Sequence, residues 1–529
     1  MFKRYPSHLH PHLLMLLWSL ILLTASCQNK SGTRSQSKAS EASTKPNIVL
    51  FYIDDLGYGD VGYNGAVGVQ TPSIDRLAKN GIVFTDAHST SATCTPSRYS
   101  VLTGQHAFRN NAIILQGDAP LLIQPGSYTL PAMLQKAGYR TGVVGKWHLG
   151  LGNGSIDWNG DVKPGPLEIG FNYSFLLPST GDRVPTVYLE NHRVHNVDPN
   201  DPIQVNYEMK LDGYPNGLDH PDHMAQRADK QHSNTIVNGI SRIGYMKGGE
   251  SALWVDEEFP DVLTGKVKDF IADEPEKPFF LFFSFHDIHV PRLPNPRFKG
   301  KSTMGARGDA IVQMDWMTGE IIKELEKRGL AENTLVIFTS DNGPVLNDGY
   351  EDLARELVGS HKPGGPMRGG KYSAYEAGTR VPTIAYWPGK IKPGISNALV
   401  SQVDLYASLA RLVGQPLADD EAIDSKEMPG TFLDHTQPGR TYLLEESYTL
   451  SLRKGNWKYI EPIAKGKRLP TFMKEKGIEG GFQHYPQLFN LNNDQGEGIN
   501  LHEQEKELAD SMQAEIEKIR KMTTRSTIQ

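Results

Sequence analysis

The chain has 529 residues, with 55 Lys and Arg against 61 Asp and Glu and a net charge of −6. That length exceeds one ordinary domain and calls for a large core with a smaller unit appended. The charge is scattered without a basic block, which argues against nucleic acid as a partner and means that an anionic substrate would need local positive charge.

Lys3 and Arg4 precede an apolar run from Leu13 to Leu23 and then Thr24-Ala25-Ser26-Cys27. This reads as a targeting segment, too short for a stable membrane span. Small residues before a cysteine resemble a bacterial lipoprotein signal over 1–27, which implies lipidation of Cys27 and a membrane association through that anchor alone. Thr24 stands where a large aliphatic residue is usual, and ordinary secretion with cleavage at this site is the alternative. Both readings put the protein outside the cytoplasm, as a periplasmic or outer-membrane protein; no acidic cluster follows Cys27, which favours the periplasm. Residues 28–45 are rich in Ser, Lys, Thr and Gln and almost free of apolar residues, the composition of a disordered tether.

Asn47 to Ile53 is a continuous apolar run of the kind found in a buried parallel strand, and it leads straight into Asp54-Asp55. Acids at the C-terminal edge of such a strand fit the place where open α/β sheets bind ligands, although Asp is also a common turn residue. Thr71 to Gly81 reads as a capped amphipathic helix, followed by a short strand at Ile82 to Phe84. In Cys94-Thr95-Pro96-Ser97-Arg98, Thr95 suits a helix cap, Pro96 the first helical position and Gly104 the end. Cys94 is then expected just outside a helix N-terminus, where orphan N–H groups favour an anion and Arg98 can return to the same side. A packed structural cysteine is the plain alternative.

A helix from Thr129 to Lys136 and a strand from Tyr139 to Val144 deliver Gly145-Lys146-Trp147-His148 to a loop. The stretch from Leu151 to Glu258 lacks periodicity and is rich in Gly, Pro, Asp and Asn; it reads as binding loops walling a pocket, with Thr180-Gly181-Asp182-Arg183-Val184-Pro185 distinctive inside it. Pro278 to Phe285 is a second buried strand, ending at His286-Asp287-Ile288-His289. A long helix over about 309–327 and a third buried strand over 334–339 lead to Ser340-Asp341-Asn342-Gly343. Beyond Leu412 small antiparallel strands are expected at 452–460 and 487–491, and a closing helix at 503–521. Asp54, Asp55, Asp341 and Asn342 all follow buried strands, so a parallel sheet brings them to one edge as hard oxygen ligands for a divalent cation such as Ca²⁺; no Cys or His cluster has the spacing for a soft metal.

Cys-x-Pro-Ser-Arg with its following helix and Thr-Gly resembles the signature of the type I sulfatases, in which the cysteine is oxidised to formylglycine. Gly145-Lys146-Trp147-His148 and Arg368-Gly369-Gly370-Lys371 through Pro382 resemble two further motifs of that family, with Ala377 where a glycine is common. The resemblance covers Pro46 to about Pro416. It implies the alkaline phosphatase superfamily fold: an α/β protein with a large mixed, mainly parallel sheet between helices over 46–416 and a smaller C-terminal α+β subdomain over 417–529. It implies calcium at Asp54, Asp55, Asp341 and Asn342, one ion per chain, and a formylglycine-generating maturation enzyme as partner for Cys94. With Cys27 lipidated or removed, no disulfide is expected.

The same resemblance implies a mechanism. A hydroxyl of the hydrated aldehyde at position 94 attacks sulfur. Calcium, Arg98, Lys146 and Lys371 neutralise the sulfate oxygens; His289 protonates the leaving alcohol; and His148 deprotonates the remaining hydroxyl so that sulfate is expelled. The Thr180 to Pro185 segment looks like that of carbohydrate sulfatases acting on galactose or N-acetylgalactosamine sulfates. The substrate expected is accordingly a 6-sulfated galacto-configured sugar from glycosaminoglycan or mucin, with Asp182 and Arg183 reading its hydroxyl, against the alternative of a surface salt pair. Two other functions compete: a phosphonate or phosphodiester hydrolase of the same superfamily, and a non-catalytic sulfated-glycan-binding lipoprotein in which Cys94 stays a thiol.

Overall fold

The computed structural model of the chain describes residues 45–525; the targeting segment, Cys27 and the tether up to residue 44 lie outside the described residues. Asn47–Ile53 (β1) is buried along its whole length. Successive side chains of a strand face opposite ways, and Ile48, Leu50 and Tyr52 enter one hydrophobic core while Val49, Phe51 and Ile53 enter another. With both faces covered, the strand is uniformly apolar rather than alternating.

The principal elements that follow are Pro72–Asn80 (α1), Ile82–Phe84 (β2), Cys94–Thr103 (α2), Leu130–Lys136 (α3), Arg140–Lys146 (β3), Tyr173–Leu177 (β4), Leu189–Glu190 (β5) and Arg193–Val194 (β6). After them come Phe259–Ala272 (α4), Phe279–Ser284 (β7), Gly305–Lys327 (α5), Thr334–Ser340 (β8), Thr383–Tyr386 (β9), Gly394–Ser396 (β10) and Leu405–Val413 (α6). The C-terminal part holds Tyr442–Glu446 (β11), Leu450–Lys454 (β12), Trp457–Ile460 (β13), Gln487–Asn490 (β14) and Lys506–Lys521 (α7).

Ten strands form one sheet in the order β10-β2-β9-β8-β1-β7-β3-β4-β5-β6. Its five central strands, β8, β1, β7, β3 and β4, are parallel, and antiparallel pairs flank them. Residues of α2, α3 and α6 fill the core on one face, those of α1, α4 and α5 the core on the other. A separate antiparallel sheet, β11-β12-β13-β14, packs Leu444, Leu452, Tyr459 and Leu488 against Ala509, Met512, Ile516 and Ile519 of α7. This is the α/β architecture that the resemblance implied.

Three local expectations are corrected. Helix α2 starts at Cys94 with Thr93 as its N-cap, so Pro96 is its third residue; a proline is tolerated there because the N–H groups of the first turn have no partner within the helix. The stretch 452–460 is a hairpin rather than one strand, turning at Gly455 with φ +54°. The segment 151–258 is not only loop: Tyr-Ser-Phe-Leu-Leu at 173–177 is β4 of the main sheet, paired in parallel with β3.

The two sheets are tied together beside the loop that carries Cys94. Ala92 N donates to Glu446 O at 2.8 Å, Glu446 N to Thr90 O at 3.0 Å, and Tyr372 N to Ala92 O at 2.8 Å. Below them the buried Glu376 carboxylate pairs with Arg453 of β12 and, at 3.2 Å, with Lys458 of β13. Glu376→Ala leaves two buried cations short of a partner, which typically costs about 3–5 kcal/mol, whereas Glu276→Ala on the exposed surface should stay within about 0.5 kcal/mol. Denaturant unfolding monitored by tryptophan fluorescence checks the difference.

Candidate active site

The parallel register sets the site. Ile53 lies opposite Ser340, Tyr52 opposite Ser284, and Ser284 opposite Gly145, so the residues that follow β1, β8, β7 and β3 emerge at one edge of the sheet. Asp54, Asp55, Asp341, Asn342, Lys146 and His289 converge there, and α2 and the loop after β8 bring Cys94, Arg98 and Lys371 onto them; all nine are buried. Lys146 Nζ donates to Asp54 Oδ2. Arg98 donates to Asp341 Oδ2 from Nε and Nη2 at 3.0 and 2.7 Å. Lys371 Nζ reaches Asp55 Oδ2 and Asp348 Oδ2, each at 2.9 Å. The Cys94 thiol donates to Asp54 Oδ1 at 3.6 Å, and Thr95 Oγ1 donates to the carbonyl of His148 at 2.9 Å, which ties α2 to the Lys146–His148 loop.

Above this floor opens a pocket of about 230 Å³ lined by Cys94, His148, Asp182, Arg183, His289 and Lys371, with His232, Asp348, Tyr372, Phe472 and Lys476 among its other walls. Arg183 Nη1 donates to Asp182 Oδ1 at 2.7 Å. Gly181 makes that segment's approach possible, because a Cβ there would lie 2.3 Å from His286 Nε2. Asp55, His148 and Tyr372 have positive φ angles of 61°, 54° and 70°, sparsely populated conformations for such residues that cluster at functional sites.

The family model for sulfatases matches residues 46–415. The chain belongs to the sulfatase family. It is 48% identical over 512 residues to the N-acetylgalactosamine-6-O-sulfatase of Bacteroides thetaiotaomicron, covering 96% of this chain and 98% of that one. It is 29% identical over 490 residues to the N-acetylgalactosamine-6-sulfatase of Mus musculus, covering 88% and 83%. A solved Bacteroides thetaiotaomicron structure described under the metabolism of multiple glycosaminoglycans superposes with a TM-score of 0.88 at 48% identity, covering 91% of this chain and 100% of that one. This sulfatase is therefore a sulfuric ester hydrolase. Its family generally uses a formylglycine and a divalent metal, with which the buried cluster is compatible.

The donors of this sulfatase fit such an ion. Carboxylate oxygens of Asp54, Asp55 and Asp341 lie within 4.8 Å of one another and of the Cys94 sulfur, and Asn342 Oδ1 is buried without a protein partner. A set of hard oxygen donors suits a hard cation. Asp348, a fourth buried carboxylate beside them, is paired with Lys371 at 2.9 Å and faces Lys476 at 3.9 Å. A divalent cation held among Asp54, Asp55 and Asp341 would add the positive charge that a sulfate monoester needs at this edge.

Burial pushes the Cys94 thiol up, against the pull of Lys146 and Lys371. It also raises Asp341, aided by Asp54. Burial works against the charge on Lys371, but Asp348 and Asp55 outweigh it and keep the ammonium protonated. Burial holds His148 and His289 well below the usual imidazole range, reinforced by Lys146 at the first and by Lys371 at the second. For Asp182 burial is overcome by Arg183 and His232, which hold its carboxyl well below the usual range.

His232, Asp348, Phe472 and Lys476 had no signal in the sequence, because they come from segments without a motif; Tyr372 lies inside the Arg368 to Pro382 motif but was not singled out. His232 makes the Asp182 position specific: its Nε2 is 3.3 Å from Asp182 Oδ2 and its Nδ1 2.7 Å from Asp229 Oδ1. Burial opposes its charge, but those two carboxylates raise its pKa above the ordinary value. The stabilisation is complete below the unfolded pKa of ~6.5 and is lost as pH rises through the folded value. Urea unfolding over rising pH above ~6.5 should therefore show the wild-type protein losing more free energy than His232→Gln; parallel slopes would mean that the ring carries no extra proton.

Proposed function

We propose that this sulfatase removes the 6-sulfate from a galacto-configured sugar, N-acetylgalactosamine or galactose, released from glycosaminoglycan or mucin, as an exported and lipid-anchored bacterial protein. The observation that carries the substrate is the Asp182–Arg183 pair on the wall of the pocket that holds Cys94. A carboxylate and a guanidinium side by side accept from and donate to one hydroxyl, and so distinguish its axial from its equatorial position. The names of the bacterial and mouse relatives agree with this reading.

In the proposed reaction, oxidation of Cys94 to formylglycine supplies a hydrated aldehyde as the oxygen nucleophile. Asp54, Asp55, Asp341 and Asn342 would hold a Ca²⁺ ion, which would supply positive charge against the sulfate oxygens. Arg98 and Lys146 fix the carboxylates Asp341 and Asp54 in position, and Lys146 and Lys371 add fixed cationic charge beside the transferring group, as preorganised electrostatics requires. His148 donates from Nε2 to the Leu115 carbonyl at 3.0 Å, which leaves Nδ1 as the lone-pair nitrogen without a protein partner. That nitrogen is suited to take a proton from a hydroxyl at position 94. His289 donates from Nδ1 to the Val290 carbonyl at 2.6 Å and keeps Nε2, 3.9 Å from Asp55 Oδ2, turned to the site. A sulfate anion beside this ring favours its protonated form, which delivers the proton to the leaving sugar oxygen.

The substrate reading is checked by kcat/KM on the 6-sulfates of N-acetylgalactosamine and N-acetylglucosamine and on an aryl sulfate, with Cys94→Ala as the inactive control. Asp182→Ala and Arg183→Ala should each lose about 10- to 100-fold on the galacto sugar, the equivalent of one hydrogen bond to a charged group at ~1.5–3 kcal/mol, and spare the aryl sulfate. Equal wild-type rates on the two sugars would end it. For the metal, a chelator should abolish turnover and Ca²⁺ restore it, while Asp341→Ala should bind less calcium by metal analysis because it removes a hard ligand. Full activity after chelation with no bound divalent ion is the contrary result.

A further inference from the structure

His232 lines the pocket beside Asp182 without belonging to any motif. We infer that His232 is a positioning residue for sugar recognition: charged between Asp229 and Asp182, it fixes the Asp182 carboxylate for a substrate hydroxyl, so that the preference for a galacto over a gluco sugar falls as rising pH discharges the ring. The inference rests on the galacto reading above and deepens it.

Local structure fixes the ring first. Asp229 caps the single turn Lys230–His232, its Oδ1 accepting from His232 N at 3.1 Å. The same oxygen lies 2.7 Å from His232 Nδ1. The buried ring packs at a tilt on that of Tyr350, with centroids 5.0 Å apart. Gly349 leaves room for it, since a Cβ there would lie 2.3 Å from Nδ1. Held in this way, the ring turns Nε2 to Asp182 Oδ2 at 3.3 Å.

Both ring nitrogens thus face carboxylates. A neutral imidazole has one N–H and one lone pair and would set that lone pair against one of the two anions; only the doubly protonated ring suits both. The surrounding charges agree. Asp182 meets Arg183 through its other oxygen at 2.7 Å. Asp229 meets Lys476 at 3.1 Å, and Lys476 lies 3.9 Å from Asp348, which pairs with Lys371. From Arg183 to Lys371 positive and negative groups therefore alternate, and a neutral ring would leave two carboxylates adjacent in that series. Two further titratable groups stand near: Tyr350, whose hydroxyl donates to the Ser241 carbonyl at 2.7 Å and is kept protonated by burial, and His289, which acts on Asp182. Burial works against the charge on His232, and Asp182 and Asp229 outweigh it.

With the ring charged, each oxygen of Asp182 is held by a different cation, which sets the plane of the carboxylate and leaves lone pairs for a sugar hydroxyl. On discharge the proton at the shorter Nδ1 contact stays, and Nε2 turns a lone pair to Oδ2. Asp182 is then held at one oxygen and repelled at the other. A site that reads a hydroxyl by hydrogen bonds discriminates only while its donor and acceptor are in place.

The test is the ratio of kcat/KM on the 6-sulfates of N-acetylgalactosamine and N-acetylglucosamine, followed over rising pH above ~6.5, with an aryl sulfate as control. The two sugars share a leaving group, so the titration of His148 and His289 cancels in their ratio. The wild-type ratio should fall as pH rises through the raised pKa of His232. Asp229→Asn keeps an oxygen for Nδ1 and removes the anion, from a side chain outside the pocket wall; its ratio should fall at lower pH than that of the wild type, with aryl sulfate turnover unchanged. His232→Gln should show a ratio about 10-fold lower than the charged wild-type enzyme, the loss of one hydrogen bond to a charged group, and no change of that ratio with pH. A His232→Gln ratio equal to that of the wild type at every pH, an Asp229→Asn profile that superposes on the wild-type profile, or variants that slow all three substrates alike would overturn the inference and leave the galacto reading standing. Equal wild-type kcat/KM on the two sugars would sink the galacto reading and the inference with it.

Discussion

The carboxylates at one edge of the sheet cannot be buried alone, and most of the site's construction follows from that. Removing a charge from water costs several kcal/mol even after relaxation, and only close, well-directed partners offset it. Asp341 is held by Arg98, Asp54 by Lys146, and Asp55 and Asp348 by Lys371. These partners come from α2, the end of β3 and the loop after β8, so one charge cluster joins segments far apart in the chain. Stability and the proposed chemistry share the same atoms: the cations that make the carboxylates tolerable are those that would face a sulfate, and three of the carboxylates, Asp54, Asp55 and Asp341, are those that would hold a hard cation.

That cluster is held on a rigid base and reached through irregular backbone. The five parallel strands are packed on both faces and end in register. Immediately beyond them the chain leaves regular geometry, with Asp55 and His148 at positive φ and Asp341 N bonded back to the carbonyl of Ile53 at 2.9 Å. Such conformations persist where the surroundings over-determine them. Here the surroundings are the ion pairs and the hydrogen bond from Thr95 to the His148 carbonyl. The second sheet adds to this by pairing Arg453 and Lys458 with Glu376 in the loop that also carries Lys371. The C-terminal subdomain is thus joined to the loop that carries Lys371 by buried charges, and Lys476 meets Asp348, the partner of Lys371, at 3.9 Å.

Much of this was legible beforehand because the chemistry leaves local marks. The apolar run of β1 and the acids behind it, the Cys-x-Pro-Ser-Arg stretch and the Gly-Lys-Trp-His and Arg-Gly-Gly-Lys stretches each name their residues within a few positions. What the local pattern misread were boundaries and context. Pro96 looked like a helix start because proline is tolerated throughout the first turn, and cap chemistry at Thr93 and Thr95 is equally acceptable by composition. Strand β4 was hidden because four apolar residues and a serine in a Gly- and Pro-rich stretch carry no periodicity; its parallel pairing with β3, which no local signal encodes, makes it a strand.

By itself, then, the sequence placed the acids behind β1 and β8 at one edge of the sheet, through short-range patterning at the ends of buried strands, and the resemblance of its short motifs to those of the sulfatases named the class of enzyme. The tertiary structure alone decided which charges pair, which residues wall the pocket and how the second sheet is joined to the first. His232 meets Asp182, Asp348 meets Lys371 and Lys476 meets Asp348 from separate segments of the chain, and such long-range neighbours are chosen by packing and charge neutralisation across the whole fold, which no window of residues contains.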